Sequence, residues 1–74
     1  MKLTVLGAGC WGLTLAWLLT NNFEDITVWG REQDISDDLR NNKHASKPLE
    51  VQLDSKVNVT SDLASAIKDA DIIL

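Results

Sequence analysis

The segment Gly7-Ala8-Gly9-Cys10-Trp11-Gly12 constrains this chain more than any other, because of what stands on either side of it. Before it, Lys2 to Leu6 alternates polar and apolar residues with β-branched members and runs straight into Gly7, which reads as a short buried strand stopped by a turn. After it the period changes. Gly12, Leu15, Ala16 and Leu19 fall at i, i+3, i+4 and i+7, one face of a helix whose small residues allow close approach to a sheet. Asn21 and Asn22 tolerate left-handed backbone and end that helix, after which Ile26, Thr27, Val28 and Trp29 form a β-prone run. Strand, helix and strand make a βαβ unit, and its crossover makes the two strands parallel neighbours. The predicted fold class is α/β.

Beyond Gly30 the chain turns polar, and Asp34 is expected to cap a short helix in which Ile35 and Leu39 form an i, i+4 apolar pair. Asn41 to Pro48 has no periodicity and reads as an exposed loop. Val57, Asn58 and Val59 give a third short strand. Ser61 then caps a helix with Leu63, Ala66, Ile67 and Ala70 on one face, and Asp62 just inside complements its dipole. Asp71-Ile72-Ile73-Leu74 begins a fourth strand, and the sequence stops inside that apolar run. The pattern is that of the N-terminal portion of a Rossmann-type parallel sheet, with residues 1–74 forming part of a larger domain.

At 74 residues the chain is too short for two domains, and a core of this size is marginal. Seven basic and eleven acidic side chains leave a net charge of −4, which argues against a nucleic-acid partner. Hydrophobic residues at 45% and charged residues at 24% are ordinary for a globular protein and argue against disorder. The single Cys10 can form no internal disulfide, and a reducing cytoplasm fits best. Glycines interrupt the apolar stretch from Leu3 to Leu19, leaving it too short for the ~20 residues that span a bilayer, so membrane insertion and a signal peptide are both rejected. His44 stands in a polar loop without acid–base or metal partners in sequence and reads as solvated surface. Asp37, Asp38, Asp69 and Asp71 read as capping or solubilising groups. No metal site emerges.

The chemistry lies in the glycine segment. Gly7 permits the tight turn out of the strand, Gly9 lets the backbone approach a diphosphate, and Gly12 lets the helix pack closely on the second strand. N–H groups at the start of the helix, helped by the helix dipole, point at the ligand. A dinucleotide is the expected ligand. At the tip of the second strand, Trp29-Gly30-Arg31-Glu32 offers no carboxylate at Gly30 to repel a 2′-phosphate, and Arg31 offers a fork of donors to bind one. NADP should therefore be accepted, while Glu32, 20 residues after Gly12, keeps NAD open as the acid for the ribose. Cys10 reads as a small apolar residue of the turn.

These residues resemble the bacterial-type NAD(P)-dependent glycerol-3-phosphate dehydrogenases. Gly7-Ala8-Gly9-Cys10-Trp11-Gly12 is similar to that family's GAGSWG fingerprint, and Val28-Trp29-Gly30-Arg31 to its strand ending. Arg40-Asn41, Thr60-Ser61-Asp62-Leu63 and Ala70-Asp71 are similar to its later landmarks. Tryptophan within the fingerprint narrows the choice among dehydrogenases. Cys10 departs from the family's usual Ser or Thr, and Asn42 to Leu53 lacks its Tyr-Leu-Pro-Gly segment. The resemblance implies reduction of dihydroxyacetone phosphate to sn-glycerol 3-phosphate for glycerophospholipid synthesis, with hydride from NADPH or NADH. It carries cofactor roles to Gly7, Gly9, Cys10, Trp11, Gly12 and Arg31, and it leaves a homodimer open for the full-length protein. It places the catalytic and substrate-binding residues outside this chain, which alone is expected to be inactive. Other dehydrogenases, such as ketopantoate reductase, begin similarly, and a dinucleotide-sensing regulatory module is the reading from a different class.

Overall fold

The computed structural model of the protein describes residues 1–46 and 50–74, with Cys10 described by its backbone alone. In chain order the elements are β1 (Lys2–Leu6), α1 (Cys10–Leu18), β2 (Asp25–Trp29), a 3₁₀ turn (Glu32–Asp34), α2 (Asp37–Asn42), β3 (His44–Ala45), β4 (Val51–Gln52), β5 (Asn58–Thr60), α3 (Leu63–Ile67) and β6 (Ile72–Ile73).

Four strands form one sheet in the order β5-β2-β1-β6, and every pairing in it is parallel. β1 and β2 pair along their whole length, from Lys2 opposite Asp25 to Leu6 opposite Trp29. Backbone bonds prolong the pairing of β1 with β6: Leu6 N–H donates to Leu74 O at 2.8 Å and Leu74 N–H to Thr4 O at 2.9 Å.

Leu3, Thr4 and Val5 are all buried, as are Ile26, Thr27 and Val28, because a parallel sheet is covered on both faces. α1 covers one face with Leu13 and Ala16; Ala66 of α3 lies against Thr4 on the other. Thr4 is buried and polar, so its hydroxyl needs a partner, and it donates to Ala66 O at 2.6 Å. Val57, Leu53, Ile35 and Leu39 complete the core.

Several details differ from the sequence expectation. The buried face of α1 runs through Leu13 and Ala16, while Leu15 is only half-buried. Both later caps move by one or two residues. Ser36, not Asp34, caps α2, accepting from Leu39 N–H at 3.0 Å, because Asp34 is engaged by Arg31. Asp62, not Ser61, caps α3, because the Ser61 hydroxyl donates to Glu32. On α3 only Ala66 of the expected apolar face is buried; Leu63 and Ile67 remain exposed. Part of the expected loop from Asn41 to Pro48 is ordered instead as a small ribbon in which β3 and β4 pair antiparallel; residues 47–49 lie outside the described residues.

Candidate functional site

From β1 the chain passes to β2 and β5 on one side and returns to β6 on the other, so the strand order reverses at β1. Open parallel sheets bind ligands in the crevice outside the carboxyl ends of the strands at such a switch point. There Leu6, Gly7, Gly9, Trp11, Gly12 and Leu74 border a cleft of about 530 Å³. Four of the six expected site residues thus meet in one place. Cys10 supplies backbone to the same turn, and its side chain lies outside the described residues. Arg31 stands apart, at the tip of β2.

The glycines serve different purposes. Gly7 has φ +112°, a conformation that side chains resist, so the turn itself requires glycine. A Cβ on Gly12 would stand 2.0 Å from Gly7 O and 3.3 Å from Val5 Cγ1, so packing requires glycine there. That close approach is to β1 and its turn, not to the second strand as expected. Gly9 is unlike both. Its φ of −80° and ψ of −178° suit any residue, and a Cβ on it would meet nothing within 4 Å. Among the described residues neither strain nor packing asks for glycine at position 9.

Gly9 is also the N-cap of α1, and no side chain caps it; no acidic residue stands in the first turn. The first N–H groups of a helix have no intrahelical acceptor, and they sit at the positive end of the helix dipole. A bare helix N-terminus with open space above it suits an anionic group such as a diphosphate. The turn is held against β2, since Gly7 N–H donates to Trp29 O at 2.6 Å. Gly30 follows at once, and a Cβ there would stand 2.7 Å from Ala8 Cβ. On this side Ala8, Asp34, Ser36 and Ala45 border a second cleft of about 250 Å³. The glycine turn therefore separates the crevice at β1 from a smaller cleft beside the tip of β2.

Two ion pairs organise that tip. Arg31 Nε donates to Asp34 Oδ2 at 2.8 Å and Nη2 reaches Oδ1 at 3.4 Å. Arg40 grips Glu32 through Nη1 to Oε1 and Nη2 to Oε2, both at 3.1 Å, and the Ser61 hydroxyl adds a bond to Oε2 at 2.6 Å. Trp29 Nε1 donates to Ser61 O at 2.9 Å, tying β2 to the start of α3. The Arg40 and Ser61 bonds hold the Glu32 carboxyl below its usual range, and the bond to Asp34 raises Arg31. Asp34 and Ser61 were not among the expected site residues. The spacing Arg31-x-x-Asp34 was a local signal; the Ser61 contact, 29 positions from Glu32, had none.

His44 is not the solvated side chain expected. Its Nδ1 lies 2.5 Å from Asp38 Oδ2 and its Nε2 3.2 Å from Glu50 Oε2, and its side chain is 25% exposed. The bonds to Asp38 and then Glu50 raise its pKa above the usual histidine value. The carboxylates stand on opposite ring nitrogens, which makes a clip between α2 and the ribbon. Among the described residues no group of three or more candidate ligands could hold a metal ion, and no helix is long and apolar enough to cross a membrane.

A parallel βαβ unit with a glycine turn at the switch point and an uncapped helix N-terminus above it defines the Rossmann-type α/β class, here its N-terminal portion. The family described as NAD-dependent glycerol-3-phosphate dehydrogenase N-terminus matches residues 2–74, and the chain belongs to it. It is 37% identical over 75 residues to the glycerol-3-phosphate dehydrogenase (NAD(P)+) of Streptococcus uberis, covering 99% of this chain and 22% of that protein. The enzymes of the same name from Bacillus subtilis and Leuconostoc citreum are 37% and 38% identical; the alignments cover 99% of this chain and 21% and 22% of theirs. The chain therefore spans 21–22% of the length of these curated relatives. No solved structure matches it significantly.

Proposed function

We propose that residues 1–74 are the dinucleotide-binding part of an oxidoreductase that reduces dihydroxyacetone phosphate to sn-glycerol 3-phosphate, using NADPH or NADH, for glycerophospholipid synthesis in the cytoplasm. Gly9 carries this reading: glycine stands where the chain itself has no need of it, at a bare helix N-terminus, and a bound diphosphate supplies the need. Relatives of 37–38% identity named glycerol-3-phosphate dehydrogenase (NAD(P)+) support the choice of substrate.

The bound cofactor supplies hydride. The chain's own residues bind and orient it: backbone N–H groups of Cys10, Trp11 and Gly12 face the diphosphate, and Gly7 sets the turn. Asp34 and Trp11 border the clefts on either side of that turn, which would receive the two halves of the cofactor. Trp11, 75% exposed, walls the crevice. Substrate binding and proton transfer fall to residues outside these 74, so the chain binds without turnover. The exposed Trp17 and Leu18 of α1 and Ile73 and Leu74 at the sheet edge fit a chain that packs against further protein.

Calorimetric titration with NADH and NADPH, on chain shown to be folded by circular dichroism and melting, tests the proposal. One site per chain is expected, with no oxidation of either cofactor on adding dihydroxyacetone phosphate. Folded chain that binds neither would overturn the dinucleotide reading; turnover would overturn the placement of the catalytic groups.

A further inference from the structure

We propose that Asp34, held by Arg31, accepts the ribose hydroxyls of the cofactor's adenosine half, so that this site takes unphosphorylated NAD(H) over NADP(H). The inference rests on the dinucleotide reading above and specifies which cofactor that site selects.

The ribose falls at the tip of β2 for geometric reasons. Gly7 N–H is bonded to Trp29 O, and Gly30 lies against Ala8, so a ligand with its diphosphate on the glycine turn has its adjoining sugar beside the residues that follow Trp29. Two carboxylates stand there. Both oxygens of Glu32 are taken, by the Arg40 fork and the Ser61 hydroxyl, and these partners lie on α2 and after β5. Asp34 lines the cleft that Ala8 of the turn also borders. Its Oδ2 accepts one good bond from Arg31, while its Oδ1 has, among the described residues, only the 3.4 Å approach of Nη2. An ionised carboxylate offers about four lone-pair sites, so Asp34 keeps capacity for a vicinal diol.

The same pairing decides against a 2′-phosphate. Arg31 is the cation expected to bind it, and its fork is turned to Asp34. The pair is well exposed, with side chains 64% and 41% accessible, so breaking it costs little. Discrimination comes instead from charge. Among the described residues that follow Trp29, Arg31 is paired with Asp34 and Arg40 with Glu32, so a phosphate bearing about −1.5 to −2 would find both guanidinium groups already matched and would stand against the Asp34 carboxylate. A diol meets a carboxylate that lines the cleft and keeps lone pairs to accept its hydrogen bonds.

The test compares dissociation constants of NADH and NADPH for the chain, for Asp34→Asn and for Asp34→Asn combined with Arg31→Ala. The unaltered chain is expected to bind NADH about tenfold or more tightly than NADPH, in line with a hydrogen bond to a charged group. Asp34→Asn should weaken NADH and strengthen NADPH, moving their ratio by at least about tenfold, and removing Arg31 as well should abolish the NADPH gain. An unaltered chain that binds NADPH as tightly as NADH would overturn the proposal, and so would a ratio unmoved by Asp34→Asn. Folded chain that binds neither cofactor would instead sink the underlying dinucleotide reading. Comparing the two cofactors on the unaltered chain decides the matter even if a variant does not fold.

Discussion

A Cβ placed on Gly12 would stand 2.0 Å from the carbonyl oxygen of Gly7 and 3.2 Å from its carbonyl carbon, so the first turn of α1 rests directly on the backbone that leaves β1. The obstructing atoms are backbone, and no side chain can swing aside to make room. This contact seats the N-terminus of α1 over the end of β1, where the crevice opens.

Gly12→Ala should therefore cost at least about 2 kcal/mol, toward the upper end of overpacking penalties, because α1 must lift off the sheet. In a chain of 74 residues that is a large share of the stability. Urea unfolding should show a lower midpoint with little change in slope. A midpoint equal to that of the unaltered chain would mean that the turn has room to yield.

Gly9→Asp should separate stability from binding. Aspartate is among the best N-cap residues, Gly9 already has cap-compatible backbone, and a Cβ there meets nothing, so the melting temperature should hold or rise slightly. The added carboxylate would occupy the place of the diphosphate and bond the same N–H groups, so NADH affinity should fall by at least about tenfold. Loss of stability, or retained affinity, would contradict the role given to Gly9.

The first half of the fold was legible because its signals are local. Strand period, helix period and glycine spacing in residues 2–29 depend only on neighbours in sequence, and the βαβ unit followed. The later caps were harder, since Asp34 and Ser36, or Ser61 and Asp62, are all good capping residues. Tertiary partners made the choice: Arg31 drew Asp34 away from α2, and Glu32 drew the Ser61 hydroxyl away from α3. The two-residue strands β3 and β4 are too short to show a period. The partners of His44 lie six residues before and after it, which is neither i±3 nor i±4 of a helix and too far along a single strand for contact. Burial of Leu13 in preference to Leu15 follows from how α1 is seated by Gly12, which helical period alone does not reveal.

Thr4→Val should destabilise the chain by about 1–3 kcal/mol despite equal size. It strips the buried Ala66 carbonyl of a 2.6 Å bond and leaves it facing an apolar side chain. Thr4→Ser should recover much of the loss, because it restores the donor. Comparing the urea midpoint of Thr4→Val with that of the unaltered chain checks the claim, and equal midpoints would show that the hydroxyl contributes nothing.

His44 makes stability pH-dependent in a stated direction. Its folded pKa is raised above 6.5 by Asp38 and Glu50, so its contribution is complete below 6.5 and is lost as pH rises through the folded value. The Asp38 carboxyl is held below 3.8, chiefly by the bond from His44, so its contribution is present above 3.8 and disappears as pH falls through its folded value. The clip is strongest between these limits. His44→Gln should lower the urea midpoint in mildly acidic solution and lower it less in mildly alkaline solution. An equal drop at both would show that His44 acts by shape and not by charge.

Whether the backbone at the start of α1 receives a dinucleotide can be read from the amide resonances of the ¹⁵N-labelled chain during NADH titration. The largest shifts are expected on Gly9, Cys10, Trp11 and Gly12, with smaller shifts at Gly7 and around Asp34. Shifts that leave these amides unmoved, or that cluster at Trp17 and Leu18 on the outer face of α1, would contradict a dinucleotide site there.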